Sequence, residues 1–220
     1  AGARAIEAMA RPADLILTLP TGGIDRHLRA SILDVPLPEV VTVEVRIGMH
    51  HPGSTRTRPY RIHVRDARTE FQLVFFRPHV DWLHKTFPAG QRRIVSGRVE
   101  IFEGIAQMPH PDHVLRPEEM DGMPAFEPVY PLTEGLGLKG MSRAVRSALE
   151  RAPDLPEWIE PSVRRDRNWP SWREALAIAH APAGRPDLAP TTPARERLAY
   201  DEILAHQMTL AIARARMKRA

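Results

Sequence analysis

The middle of the chain, from Val40 to about Leu115, consists of strand-like runs separated by turn residues, and this pattern restricts the possible folds most. In the first run, VVTVEVRIGM, valine and isoleucine alternate with polar residues, which is typical of a strand buried on one face. The later runs are PYRIHVRD, EFQLVFF, RRIVSGRVEIF and IAQMPH. HVDWLHKTF, between the third and fourth runs, has helical spacing and ends at a Pro-Ala-Gly turn, so a helix is predicted there.

Three strands, a helix and two strands is the element order of an OB-fold, a five-stranded and partly open barrel. An SH3-like barrel or a small sandwich would give a similar order. We predict an α+β chain in which a five-stranded OB-fold β-barrel is flanked by helices. The predicted division is an N-terminal helical segment (1–38), the OB-fold domain (39–116), an extended proline-rich linker (117–135) and a helical segment (136–220). Gly97 interrupts its run and predicts a bulge or sharp bend.

Composition excludes several classes of protein. The sequence has no cysteine, which rules out disulfides, thiolate zinc sites and cysteine nucleophiles. No apolar run is long enough to cross a bilayer, so no membrane partner is expected. The first residues lack a continuous apolar segment and include Glu7, which argues against a signal peptide. The net charge of +4 only weakly favours a nucleic-acid partner.

The motifs that would indicate catalysis are absent or out of context. Gly135-Leu136-Gly137-Leu138-Lys139-Gly140 matches GxGxxG, but a proline-rich segment precedes it rather than a buried strand. There is no GxxxxGK[ST] segment and no GxSxG elbow, so no ATP or magnesium site is expected in this chain. The histidines of HH (50–51) and HPDH (110–113) have no metal-ligand spacing. We predict neither catalytic nor metal-binding residues.

A possible stacking surface remains in QLVFFRPHVDWL (72–83). Alternation along the strand places Phe75 in the core and turns Phe76 away from it. Phe76 and Trp82 could stack on unpaired bases, with arginines holding phosphates. Alternatively, Phe76 packs under the helix and Trp82 fills the open end of the barrel. Residue types alone do not separate these two interpretations.

Several segments, taken together, resemble the amino-terminal half of the RecG family of branched-DNA helicases. They are LILTLPTGGIDR, LVFF, PAGQRRIVSGRVEIFEGIAQMPHPDHV, EPVYPLTEGL and ARERLAYDEILAHQMTLA, and the similarity spans roughly residues 13 to 215. The resemblance implies an OB-fold wedge domain that divides the arms of a DNA fork or Holliday junction, in a protein of recombination, repair and fork reversal. It also implies that helicase domains should follow in the same protein, and that ATP and magnesium belong to those domains.

The resemblance assigns base stacking to Phe76 and, across a loop of variable length, to Trp82, with His79 as the alternative second residue. Loop and strand positions predict phosphate contacts for Arg56, Arg58, Arg61 and Arg77. The expected partner is branched or forked DNA, and a monomer in the bacterial cytoplasm, associated with the nucleoid, is expected. The chain is either a fragment of a full helicase or a relative without a motor.

A rival hypothesis is a scaffold or protein-interaction module that binds no DNA strongly. It requires Phe76 and Trp82 to be buried. It also requires the long helix from Pro193 to present an apolar surface to a neighbouring domain.

Overall fold

The computed structural model describes residues 12–53, 58–131 and 137–218. The chain forms two compact units, of which one is Ile24–Glu127 and the other combines Ala1–Gly23 with Pro128–Ala220. None of the helices in the described ranges is both long and apolar enough to cross a membrane. The predicted four-part division of the chain stays a prediction.

The strands follow the predicted runs closely. Their bounds are β1 (Gly22–Asp25), β2 (Leu28–Arg29), β3 (Glu39–His51), β4 (Tyr60–Arg65), β5 (Glu70–Phe75), β6 (Arg92–Phe102), β7 (Ile105–Pro109), β8 (His113–Leu115) and β9 (Phe126–Val129). All five predicted barrel strands are therefore confirmed.

Five strands close into a barrel in the order β3-β4-β5-β7-β6, because β6 also pairs with β3. The pairings are antiparallel except for β5 with β7, which is parallel. Short strands extend the sheet, since β2 pairs in parallel with β3 and β8 pairs antiparallel with β6. A separate two-stranded sheet pairs β1 with β9. The predicted OB-fold barrel is confirmed, and the strand pairing fits it better than a small sandwich.

The barrel core is built from the inward-facing side of each strand. Its members from β3 are Val41, Val43, Val45 and Ile47, and all four are buried, as alternation predicted. The helix α2, Val80–Thr86, lies between β5 and β6 in the sequence. Leu83 from this helix and Phe87, which follows it, are fully buried in the same core.

The other unit is helical in its described part. The α-helices in the described ranges are α1 (Pro12–Leu17), α2 (Val80–Thr86), α3 (Leu138–Glu150), α4 (Pro161–Asp166), α5 (Trp172–His180) and α6 (Pro193–Met217). A capping box formed by Ser171 and Glu174 opens α5. Thr192 precedes α6, and its hydroxyl donates to the Ala189 carbonyl rather than capping the helix.

Two expectations need correction. The β3–β6 register runs unbroken past Gly97, so Gly97 is not a bulge in that pairing. A Cβ there would lie 3.1 Å from Met108 side-chain atoms and from the Pro111 Cα, so the glycine permits close packing instead. The proline-rich segment is not extended throughout, since it contains a 3₁₀ turn, Pro117–Gly122, and strand β9. Residues 132–136, with the start of the GxGxxG segment, lie outside the described residues.

Candidate nucleic-acid interface

The site is built where strand β5 ends. The β5–β7 ladder finishes at the pair Val74 and Pro109, and the His110 amide then donates to the Val74 carbonyl at 2.9 Å. Beyond the last ladder pair, the backbone amide of Phe76 donates to Nε2 of the His110 imidazole at 3.0 Å. The His110 side chain thus takes the place of a backbone acceptor at the end of β5. Arg77 follows with φ +49°, in the left-handed region, and turns the chain away from the sheet.

The buried Phe75 ring lies beneath the exposed aromatic residues. Its centroid is 6.2 Å from Trp82, 5.4 Å from Phe87 and 5.7 Å from His110. Trp82 also meets Phe87 edge-on at 6.0 Å, and Phe76 lies against His110 at 5.6 Å. We call these five residues the aromatic cluster. The contacts of Phe75 with Trp82 and His110 and that of Trp82 with Phe87 are edge-to-face, a geometry that aromatic pairs prefer.

The structure separates the two interpretations of the aromatic pair. Phe76 is 56% exposed and Trp82 is 50% exposed, so the interpretation that buries both residues is wrong. Leu83 and Phe87 close that end of the barrel instead. His79 is exposed at the start of α2, and it forms no ring contact with a described residue. The stacking roles of Phe76, Trp82 and His79 remain predictions.

The predicted phosphate-binding arginines differ in position. Arg77 directly follows Phe76, and Arg61 on β4 pairs with Val74 next to the end of β5. Arg58 is exposed just before β4, whereas Arg56 lies outside the described residues. None of Arg58, Arg61 and Arg77 forms an ion pair with a residue in the described ranges. Their positive charges are therefore available to an anionic ligand.

Sequence reasoning missed the buried polar network that fixes the HPDH segment. Arg26 is 2% exposed, and its guanidinium donates to Glu127 Oε2 at 2.6 Å, Ser96 Oγ at 2.8 Å and Asp112 Oδ2 at 3.1 Å. Thr42 donates to the same Ser96 oxygen at 2.7 Å. The network ties β6 to the segment that carries His110, and no local pattern around Arg26 signals it.

Glu127 is the main anion of this network. His113, whose Nε2 is 3.5 Å from Glu127 Oε2, and the Arg26 guanidinium lower the pKa of the Glu127 carboxyl to about 2, against the opposing effect of burial. The carboxylate is therefore ionised at neutral pH and compensates the buried Arg26 charge. The segment below Phe76 is held by charge-assisted hydrogen bonds.

The histidines considered as metal ligands have other partners. His50 hydrogen-bonds the Phe87 carbonyl through Nε2 at 2.7 Å and the Tyr60 hydroxyl through Nδ1 at 3.0 Å. Its ring stacks on His84 at 4.7 Å. Within the described ranges, no group of three potential ligands could hold a metal ion.

Comparison with known proteins connects this geometry to characterised relatives. The ATP-dependent DNA helicase RecG of Acidithiobacillus ferridurans is 33% identical over 214 residues, covering 91% of this chain and 29% of the relative. RecG of Haemophilus influenzae is 24% identical over 214 residues, covering 90% and 29%. A solved structure of RecG bound to a three-way DNA junction matches with a TM-score of 0.72 at 20% identity, covering 96% of this chain and 29% of that one. No protein-family model matches.

The chain is an OB-fold protein with flanking helices, and the aromatic cluster, with Phe76 and Trp82 exposed, lies at one end of its barrel. Within that class, the chain is similar to the amino-terminal region of RecG proteins over about 90% of its own length. It spans under a third of the length of these relatives.

Proposed function

We propose that this chain binds branched DNA and that Phe76 and Trp82 stack on the bases exposed where the strands part. The observation that carries the proposal is the half-exposure of both rings at the same barrel end. Trp82 rests on the buried Phe75 and Phe87, and Phe76 lies against His110. Neighbouring exposed apolar side chains mark an interaction site more often than a single exposed residue does. The similarity to RecG, solved in complex with a three-way DNA junction, supports this choice of ligand.

Arg61, Arg77 and Arg58 supply the electrostatic part of the proposal. They surround the exit of β5 and the start of β4 without compensating carboxylates among the described residues. Phosphate contacts from such side chains add affinity without reading sequence, while base stacking on the rings tolerates any base. The combination suits recognition of a branch point by shape. In a whole RecG-like protein, a helicase motor would move the DNA across this module during repair and recombination.

The proposal is tested by titrating the 220-residue chain with a fluorescently labelled fork and with linear duplex of equal length. Stacking is worth roughly 1–3 kcal/mol per base, so Phe76→Ala should weaken fork binding about 5- to 150-fold. Its affinity for linear duplex should stay unchanged, because a continuous duplex exposes no base at a branch.

Phe102→Ala is the matched control. Phe102 is similarly exposed, but it lies at the β6–β7 turn, at the end of β7 opposite to His110. It should bind the fork as the wild-type chain does. Equal wild-type affinity for fork and duplex, or equal losses in both variants, would contradict the proposal.

The scaffold hypothesis requires Phe76 and Trp82 to be buried and the helix from Pro193 to present apolar residues. Phe76 and Trp82 are exposed rather than buried. Helix α6, however, exposes Ile203, Met208 and Ile212, which suits a contact with another domain. Exposed apolar residues on α6 are compatible with both functions, so the exposed rings favour DNA binding.

A further inference from the structure

A second basic feature of the barrel unit lies apart from the predicted arginines. An open groove of about 560 Å³ is formed where α2, β6 and the segment after β8 meet. Its charged lining consists of Lys85, Arg92, Arg93, Arg116 and Glu118, which we call the basic groove. Four cations face one carboxylate there, so the groove has a positive potential.

Arg93 is the most deeply buried of the four cations in the basic groove. Its side chain is 9% exposed and donates to the Thr86 carbonyl at 2.8 Å, the Arg92 carbonyl at 2.7 Å and Gln91 Oε1 at 3.0 Å. All three acceptors are neutral, and Arg93 forms no ion pair with any residue in the described ranges. A buried guanidinium without a carboxylate keeps its full charge and is costly unless an anion compensates it.

The β6–β8 pairing brings Arg116 into the groove with Arg93. Ile94 and Leu115 form the last pair of the β6–β8 ladder, and the next residue on each side, Arg93 and Arg116, both line the basic groove. Arg116 and Lys85 are both exposed, and neither forms an ion pair with a described residue. Arg92 is partly compensated by Glu44 at 3.1 Å.

The position of the basic groove indicates its ligand. Lys85 lies three residues after Trp82 on α2, so the two side chains share one face of the helix. A strand leaving a base stacked on Trp82 could therefore continue toward Lys85. The groove is also much larger than one phosphate group, and its cations are spread along it. These features fit a run of phosphodiesters better than a single small anion.

We propose that the basic groove binds the phosphodiester backbone of one arm of the DNA, with Lys85 and Arg116 contacting phosphates and Arg93 supplying a fixed positive charge. This inference rests on the proposed function, because it takes DNA as the partner of the barrel. It adds a site that recognises charge and carries no preference for branched over linear DNA.

The test uses the 220-residue chain with Lys85→Gln and Arg116→Gln combined. Both side chains are exposed, so the thermal midpoint should be unchanged. Each lost phosphate contact lowers the slope of log affinity against log salt by roughly 0.9. The double variant should therefore lose about 1.8 from that slope, which at 0.1 M salt corresponds to roughly 60-fold weaker binding relative to a 1 M salt reference. Fork and linear duplex should lose affinity by the same factor, leaving their ratio at the wild-type value.

Arg65→Gln combined with Arg98→Gln removes the same charge from exposed strand positions outside the basic groove and should change the slope much less. A wild-type slope in the groove variant, or an equal loss in this control, would overturn the inference. Loss of binding to poly-glutamate with full DNA affinity would assign the groove to an acidic protein segment and would also overturn it. These results are distinct from failure of the proposed function, which would appear as a wild-type chain without fork preference.

Discussion

Replacing Glu127 with glutamine should destabilise the barrel, because it leaves the buried Arg26 guanidinium without its main counter-charge. The Glu127 carboxyl has its pKa lowered from 4.5 to about 2, a shift of about 2.5 units, and each unit corresponds to about 1.4 kcal/mol. The ionised form is therefore favoured in the folded state by about 3 kcal/mol. Partial hydration reduces this value, and we expect Glu127→Gln to cost about 2–3 kcal/mol.

The pH dependence follows from the direction of this pKa shift. Because the pKa of Glu127 is lower in the folded state, its stabilising contribution is complete above about pH 4.5 and is lost as the pH falls toward 2. The stability difference between the wild-type chain and Glu127→Gln should be constant from pH 5 to 7. It should shrink steadily below pH 4.5. The difference between the two proteins is used because other carboxyls titrate in the same range.

Hydrogen exchange of peptides from β3 and β6, measured by mass spectrometry, reports on the barrel separately from the helical unit. Glu44→Gln is the control, since Glu44 pairs with Arg92 on the exposed surface of the same barrel. Exposed ion pairs contribute about 0–1 kcal/mol. The reasoning is refuted if the two variants lose equal protection, or if the Glu127→Gln deficit persists unchanged at pH 3.

Three further predictions concern local contacts. His110→Leu removes the acceptor of the Phe76 amide, so it should speed hydrogen exchange of that amide and weaken fork binding. His110→Gln retains an acceptor and should restore both, and identical results for the two variants would contradict a positioning role for His110. Burial lowers the pKa of His180, so the thermal midpoint should fall as pH drops from 7.5 to 5.5, and less so in His180→Gln. A Cβ on Gly48 would lie 2.9 Å from the His63 carbonyl oxygen, so Gly48→Ala should cost about 1–3 kcal/mol in urea denaturation.

The barrel strands could be predicted because each carries its own burial pattern. The residues Val41, Val43, Val45 and Ile47 are all inward-facing, and that information is present in any five consecutive letters of the run. For Phe76 the sequence leaves two outcomes open, exposure to solvent or packing under the helix. Alternation along a strand shows on which face a side chain lies, but it does not show what covers that face.

The supporting residues could not be predicted because they depend on pairing between distant strands. His110 reaches Phe76 only because β7 runs parallel to β5 in a particular register. Arg116 and Arg93 line one groove because β8 pairs with β6, and Arg26 meets Glu127 across about a hundred residues of sequence. A single sequence does not state which strands are neighbours. The residue types of the site were visible, but their arrangement required the fold.

The arrangement also explains why two exposed aromatic rings are consistent with a stable barrel. Phe76 and Trp82 each rest on a residue of the aromatic cluster that is fixed by other contacts: His110 by the Val74 carbonyl, and Phe75 by the core. A ring whose orientation is already set loses little conformational entropy when it stacks on a base. Support from beneath therefore increases affinity without any additional contact to DNA. This separates the roles within the site, because the cluster sets geometry while the surrounding arginines set the dependence on salt.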